Sequence, residues 1–76
     1  MAKKLASGNQ GIRYIVIEIN GQKETNLFLK NIGLSIGDQI TIISKLASNY
    51  IVSIKDGRFG IDERIAKLIL VDVWKE

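Results

Sequence analysis

Two glycines, Gly33 and Gly37, constrain the fold of this chain more than any other feature of its sequence. They lie in the stretch NIGLSIGDQITII, directly before a run of alternating apolar residues. Gly33 follows the segment QKETNLFLKNI, in which the spacing of Phe28, Leu29 and Ile32 predicts a helix with one apolar stripe. A glycine just beyond a helix can adopt the left-handed conformation without a Cβ clash. We therefore predict a helix that ends at Gly33.

The segment SIGD, residues 35–38, forms a second corner. Gly37 is the third residue of the four, where a type II turn requires positive φ. Leu29 and Leu34 stand at the two positions between which a Schellman motif places an apolar contact. The chain is thus predicted to leave a helix, turn twice and enter a strand, which lays the helix across the mouth of a small sheet.

The rest of the sequence predicts a meander of strands. Alternating apolar residues indicate strands in GIRYIVIEING, QITIISKL, YIVSIKD, RFGID and LVDVW. Asp56 and Gly57 form a two-residue hairpin signal, and Gly60 suggests a bulge or a sharp bend. Asp62 is placed to cap a single helical turn. We predict a mainly β fold, a small five-stranded barrel with one α-helix after the first strand and a short helical turn before the last.

The length of 76 residues corresponds to a single domain. Residues 1–10 are small and polar, and we expect a loose N-terminal arm from which Leu5 docks back on the body. The segment MAKKLASGNQG lacks the apolar region of a signal peptide, and no run approaches the length of a membrane span. We expect a complete cytoplasmic protein, a monomer or weak oligomer, without direct membrane insertion.

The side-chain inventory argues against catalysis and against a tight metal site. The sequence contains no histidine and no cysteine, which removes the commonest general base and the soft or imidazole metal ligands. Most carboxylates fall at turns, caps or strand faces, so we predict that the protein is not an enzyme and carries no cofactor. Only oxygen ligands could hold a divalent ion, and the candidates are Asp62, Glu63 and Asp72.

A nucleic-acid-binding barrel is the alternative that composition leaves open. Small β-barrels bind single strands through exposed aromatic side chains among basic ones. Against this alternative, the net charge of +3 is small, and the aromatic residues of the sequence would also fill a small core. The residues concerned are Tyr14, Tyr50 and Phe59 with Arg13, Lys55, Arg58 and Arg64.

A protein-binding surface is predicted at the helix flank. Leu27, Phe28 and Leu29 cannot all face the core, because neighbours on a helix are about 100° apart. An exposed Leu27 or Phe28 would serve as a docking anchor. We predict partner contacts at Leu27, Phe28 and Leu34, with Lys30 and Arg58 as charged contacts at the rim.

The assembled pattern resembles the FeoA family, small proteins of bacterial ferrous-iron uptake. The likeness spans residues 5–74 and is carried by NLFLKNIGLSIGDQITII and YIVSIKDGRFGIDERIAKLILV. The matched positions are Leu29, Ile32, Gly33, Leu34, Gly37, Gly57, Ile61, Ala66, Ile69 and Val71. Ile32 stands where the family usually has leucine and Ile36 where it usually has proline. All matched positions have structural roles, so they identify a fold more firmly than a functional site.

The resemblance implies an SH3-like (Src-homology-3-like) barrel that is not an enzyme. It implies a role in Fe²⁺ uptake and a partner, the membrane GTPase transporter FeoB, contacted at its cytosolic side. The same module is similar to the carboxy-terminal domain of iron-dependent repressors of the DtxR type, whose DNA-binding region is absent from this sequence. A metal-responsive module of that kind is therefore the second alternative to an accessory transport protein.

Overall fold

The computed structural model describes residues 2–75 of the chain. Within them lie six strands, two α-helices and one 3₁₀ turn. The elements in chain order are β1 (Lys3–Lys4), the 3₁₀ turn (Leu5–Ser7), β2 (Arg13–Ile19), α1 (Lys23–Asn31), β3 (Gln39–Leu46), β4 (Asn49–Ile54), β5 (Gly57–Asp62), α2 (Glu63–Ala66) and β6 (Ile69–Val73).

The six strands form one antiparallel sheet in the order β1-β6-β2-β3-β4-β5. The prediction of a small mainly β domain with a helix after the first long strand and a helical turn before the last is confirmed. The prediction of five strands missed β1. The described strands at the two ends of this order, β1 and β5, do not pair with each other, so hydrogen bonds leave the sheet open.

The N-terminal segment is part of the fold, and the prediction of a loose arm over residues 1–10 is wrong for the described residues of that range; Met1 lies outside them. Lys3 and Lys4 pair with β6, and Leu5 is fully buried in the core. The Tyr14 hydroxyl accepts a hydrogen bond from the backbone N–H of Asn9 (2.9 Å). The expected docking of Leu5 on the body is confirmed. The pairing of Lys3 and Lys4 with β6 joins distant parts of the chain, which is why local composition did not predict it.

The Lys45 ammonium and the Tyr50 hydroxyl hold the same segment from the other side. Both donate to the carbonyl oxygen of Ala6, at 3.1 Å from Lys45 Nζ and 3.3 Å from the Tyr50 hydroxyl. The tips of Tyr14 and Tyr50 are therefore used inside the protein, while their rings fill the core.

Helix α1 ends as the sequence predicts. Gly33 adopts φ +92°, its N–H donates to Lys30 O (3.0 Å), and the Leu34 N–H donates to Leu29 O (2.9 Å). This pair of bonds is the Schellman motif. Its apolar contact partners, Leu29 and Leu34, are both buried in the core.

The turn at residues 35–38 fastens the helix end to the sheet. Gly37 has φ +94°, and the Asp38 N–H donates to Ser35 O (3.0 Å). Across to β2, the Gly37 N–H donates to Val16 O (2.8 Å) and the Val16 N–H donates to Asp38 O (2.9 Å). The position of the corner is thus fixed by backbone bonds to Val16, a buried residue of β2.

The β4–β5 hairpin differs by one residue from the prediction. Ile54 pairs with Gly57, so the two turn residues are Lys55 and Asp56, and Lys55 takes the positive φ (+54°). Gly57 opens β5 instead of closing the turn. Gly60 shows regular pairing with Ile51 and no register shift, so the bulge predicted there is wrong.

Register shifts occur instead in β2, between Val16 and Glu18, and in β3, between Ile42 and Ser44. The short helix α2 is capped as predicted, because Asp62 Oδ1 accepts a hydrogen bond from the Ile65 N–H (2.9 Å).

Replacing Gly33 by alanine tests the left-handed helix end. A Cβ at Gly33 would lie at an ordinary contact distance from Lys55, 3.8 Å. The loss of stability would therefore come only from placing an alanine at positive φ. We expect Gly33→Ala to lower the free energy of unfolding by about 1 kcal/mol. Gly60→Ala is the matched control, since Gly60 has no positive φ and a Cβ there would meet Ile51 at an ordinary 3.8 Å; the substitution should leave stability unchanged or raise it. Urea unfolding of both variants measures the difference, and equal losses would contradict the account.

Truncating Leu5 tests whether the N-terminal segment belongs to the core. Leu5→Ala removes a fully buried side chain, and we expect a loss of about 3 kcal/mol in the free energy of unfolding. Leu46→Ala, at a side chain 70% exposed, should change it by less than about 0.5 kcal/mol. If Leu5→Ala does not fold, Leu5→Val should still show a loss of about 1 kcal/mol. A loose arm would give no loss from either Leu5 variant.

Candidate docking surface

The outward face of α1 presents an apolar side chain between two lysines. Leu27 is 56% exposed, and with Lys23, Asn26 and Lys30 it lines an open concavity of about 510 Å³. Residues three and four apart are neighbours on a helix surface, so both ammonium groups flank Leu27. This arrangement offers an apolar anchor with a positively charged rim.

The position of Leu27 follows from the helix geometry. Leu29 must face the core because it closes the Schellman motif, and residues two apart on a helix lie about 200° from each other. Leu27 therefore points away from the sheet. Phe28 lies between the two directions and is 40% exposed, whereas Leu29 is fully buried.

Ile36 is a further exposed apolar side chain, at the corner that follows the helix, and sequence reasoning missed it. Ile36 is 66% exposed in the turn whose Gly37 N–H is bonded to Val16 O. Next to Val16 along β2, Ile17 is 44% exposed. The exposure of Ile36 could have been predicted from the sequence, because the side chain of the second residue of a tight turn points outward into solvent. We define the helix corner surface as Leu27, Phe28 and Ile36.

The structure groups only some of the predicted partner contacts. Leu27, Phe28 and Lys30 share α1. Leu34 is 2% exposed and has no surface to offer a partner, because the Schellman contact with Leu29 takes it into the core; its assignment to the docking surface is corrected. Arg58 lies on β5, where it pairs across the sheet with Ser53, and not on α1.

The oxygen-ligand candidates for a metal have separate structural tasks. Asp62 caps α2 and lies 3.5 Å from Arg64, Glu63 pairs with Lys67 at 3.1 Å, and Asp72 Oδ1 accepts from the Val73 N–H. Among residues 2–75, no group of three or more possible metal-ligating side chains comes together.

Two of the three aromatic side chains that the nucleic-acid alternative requires are buried. Tyr14 and Tyr50 are 0% and 5% exposed, and Phe59 packs against the core. A base cannot stack on buried rings, so only the half-buried Phe59 of these three remains accessible, which weakens the nucleic-acid alternative.

The fold is that of a small SH3-like domain with a helix folded against its sheet. The family model of the FeoA domain matches residues 3–73. The chain therefore belongs to the FeoA domain family. No curated protein sequence matches it at a significant level. Within the described part of the chain, no helix has the length and apolar character needed to cross a membrane.

Three solved structures illustrate the likeness. A crystal structure of an iron uptake regulatory protein (FeoA) has 26% identity and a TM-score of 0.85, covering 93% of this chain and 96% of that one. A FeoA protein from Chlorobium tepidum has 17% identity and a TM-score of 0.89, covering 96% and 71%. A manganese-dependent transcriptional repressor has 18% identity and a TM-score of 0.89, covering 96% of this chain but 42% of the repressor. The last two show a shared fold.

Proposed function

We propose that this chain is a non-enzymatic accessory protein of ferrous-iron uptake, and that it docks on the cytosolic side of a FeoB-type membrane GTPase transporter. Membership of the FeoA family over residues 3–73 is the observation that carries the iron-uptake role. The helix corner surface is the observation that supports docking, because it leaves three large apolar side chains in water.

The docking chemistry follows from what the corner offers. Leu27 is the anchor, and a partner pocket that covers it gains roughly 2 kcal/mol from apolar burial. Lys23 and Lys30 on either side favour acidic residues around that pocket, and such rim charges mainly set the rate of association. Because the corner is fixed by backbone bonds to β2, little conformational entropy is lost when a partner covers it.

The first experiment is a backbone amide NMR titration of the ¹⁵N-labelled protein with the cytosolic GTPase domain of the transporter. We expect chemical shift changes concentrated in residues 24–38, where α1 and the corner lie. Shift changes confined to β5 and α2 would contradict docking through the corner. Absence of binding at high concentration of the GTPase domain would contradict docking on that domain.

Substitution at the anchor gives the quantitative test. Leu27→Gln removes the apolar contact but keeps a helix-compatible side chain at an exposed position, so the fold should be retained. We expect affinity for the GTPase domain to fall at least about tenfold, as for an interface hot spot. Phe28→Gln should weaken binding as well.

Leu46→Gln is the matched control for the anchor variant. Leu46 is also leucine and 70% exposed, but it lies at the end of β3, outside the helix corner surface. The affinity of the Leu46→Gln variant for the GTPase domain should equal that of the unmodified protein. Equal affinities for the Leu27→Gln and Leu46→Gln variants, measured by calorimetry on folded protein, would place the interface elsewhere.

A metal-responsive module is the second candidate, and the fold shared with the manganese-dependent repressor favours it. This second candidate makes a prediction that the docking protein does not make, namely that a divalent ion perturbs Asp62, Glu63 or Asp72. The same labelled protein titrated with Mn²⁺ or Fe²⁺ under anaerobic conditions separates the two candidates.

A further inference from the structure

We propose that the outer face of the sheet carries an oxyanion-binding groove for a small phosphorylated ligand, in which Arg13, Thr41, Ser53 and Lys55 bind the phosphoryl oxygens. The groove is an open concavity of about 550 Å³. It is separate from the helix corner surface and does not depend on the docking proposal.

Strand register builds the centre of the groove. Arg13 on β2 pairs with Thr41 on β3, and Thr41 pairs with Ser53 on β4. Directly opposed residues on neighbouring strands point to the same face, with Cα atoms about 5 Å apart. A guanidinium group and two hydroxyl groups therefore stand in one row across three strands.

The donors in this row have no partners inside the described part of the protein. No carboxylate of residues 2–75 lies within ion-pair distance of the Arg13 guanidinium. The hydroxyl groups of Thr41 and Ser53 make no hydrogen bond within the same residues, although both side chains are half-buried. Ligand oxygens could satisfy these donors without breaking an internal bond.

Lys55 adds a second cation at the end of the groove next to the helix corner. It is held at φ +54° in the hairpin turn, a conformation that disfavours a residue with a side chain. The ammonium group lies 4.0 Å from Asp38 Oδ2. This exposed pair is loose, so it leaves Lys55 available to a ligand.

Asp38 also lines the groove, and its carboxylate is held by the turn. Its Oδ2 accepts a hydrogen bond from the Ser35 N–H (2.7 Å). Two cations and one carboxylate leave a single positive charge in the groove. Its strongest donors are a guanidinium and an ammonium group, which suits a compact anion with several oxygens.

The ligand is a small phosphorylated molecule and not a nucleic acid, because the groove contains no aromatic side chain on which a base could stack. A phosphoryl group offers enough oxygens for the guanidinium, both hydroxyls and the ammonium at once. The neighbouring polar residue Gln39 can donate to the remainder of the ligand from the same wall.

Inorganic phosphate is the probe for this site. We expect ¹⁵N-labelled protein titrated at constant ionic strength, with chloride exchanged for phosphate, to give saturable shift changes at the amides of Arg13, Thr41, Ser53 and Lys55. Arg13→Gln should weaken binding about tenfold, and Ser53→Ala should weaken it severalfold. Arg64→Gln is the control, since Arg64 lies on α2 outside the groove; its affinity should be unchanged.

Asp38→Asn gives a test of opposite sign. An asparagine oxygen can still accept from the Ser35 N–H, so the turn is kept while the negative charge is removed. Phosphate binding should become severalfold tighter. Shift changes that stay linear or equal those in chloride, or an Arg13→Gln variant that binds as tightly as the parent, would overturn the proposal.

Discussion

The backbone bonds between the corner and β2 are the constraint on which the rest of the structure depends. Gly37 and Asp38 each bond to Val16, on a strand whose core face is buried. Four residues earlier, Gly33 ends the helix in a left-handed conformation. These two points set the direction in which the chain leaves α1 and the place at which β3 begins. That is why Leu29 and Leu34 lie inside the core, and why Leu27 and Ile36 lie outside it.

Local signals in the sequence predicted the parts of the fold that are locally determined. Gly33, Gly37 and the Asp62 cap have their effect within a few residues, and each was placed correctly. Apart from the docking of Leu5, the order of the N-terminal segment was missed, because its anchors Lys45 and Tyr50 lie about forty residues away. The β4–β5 turn lies one residue earlier than predicted, because the register of the two strands, and not the composition of the turn, places Lys55 at the position of positive φ.

The candidate sites also divide into features that the local sequence predicts and features that it does not. The exposure of Leu27 follows from helical periodicity once Leu29 is assigned to the core. Leu34 could have been excluded from the docking surface by the same reasoning, since a Schellman contact itself buries the residue that makes it. The row of Arg13, Thr41 and Ser53 was beyond sequence reasoning, because the bulge in β3 sets which residues face each other.

The corner therefore separates two surfaces of different chemistry. On the helix side lies an apolar anchor between lysines, and on the sheet side lies a polar groove that shares Gly37 and Asp38 with the turn. The domain has a small core, so its function depends on the side chains that its strands and helix expose on these two surfaces. Family membership points to the cellular system, and the corner is the surface that we propose for the contact with the transporter.

Site-specific photo-crosslinking in membranes that contain the full transporter tests this assignment most directly. A photoreactive phenylalanine analogue would replace Ile36 at the corner or, as the control, Leu46 at the end of β3. Both positions are largely exposed, at 66% and 70%, so neither substitution disturbs the core. The account predicts a covalent adduct with the transporter from position 36 and none from position 46. An adduct from position 46 alone, or equal adducts from both, would contradict it.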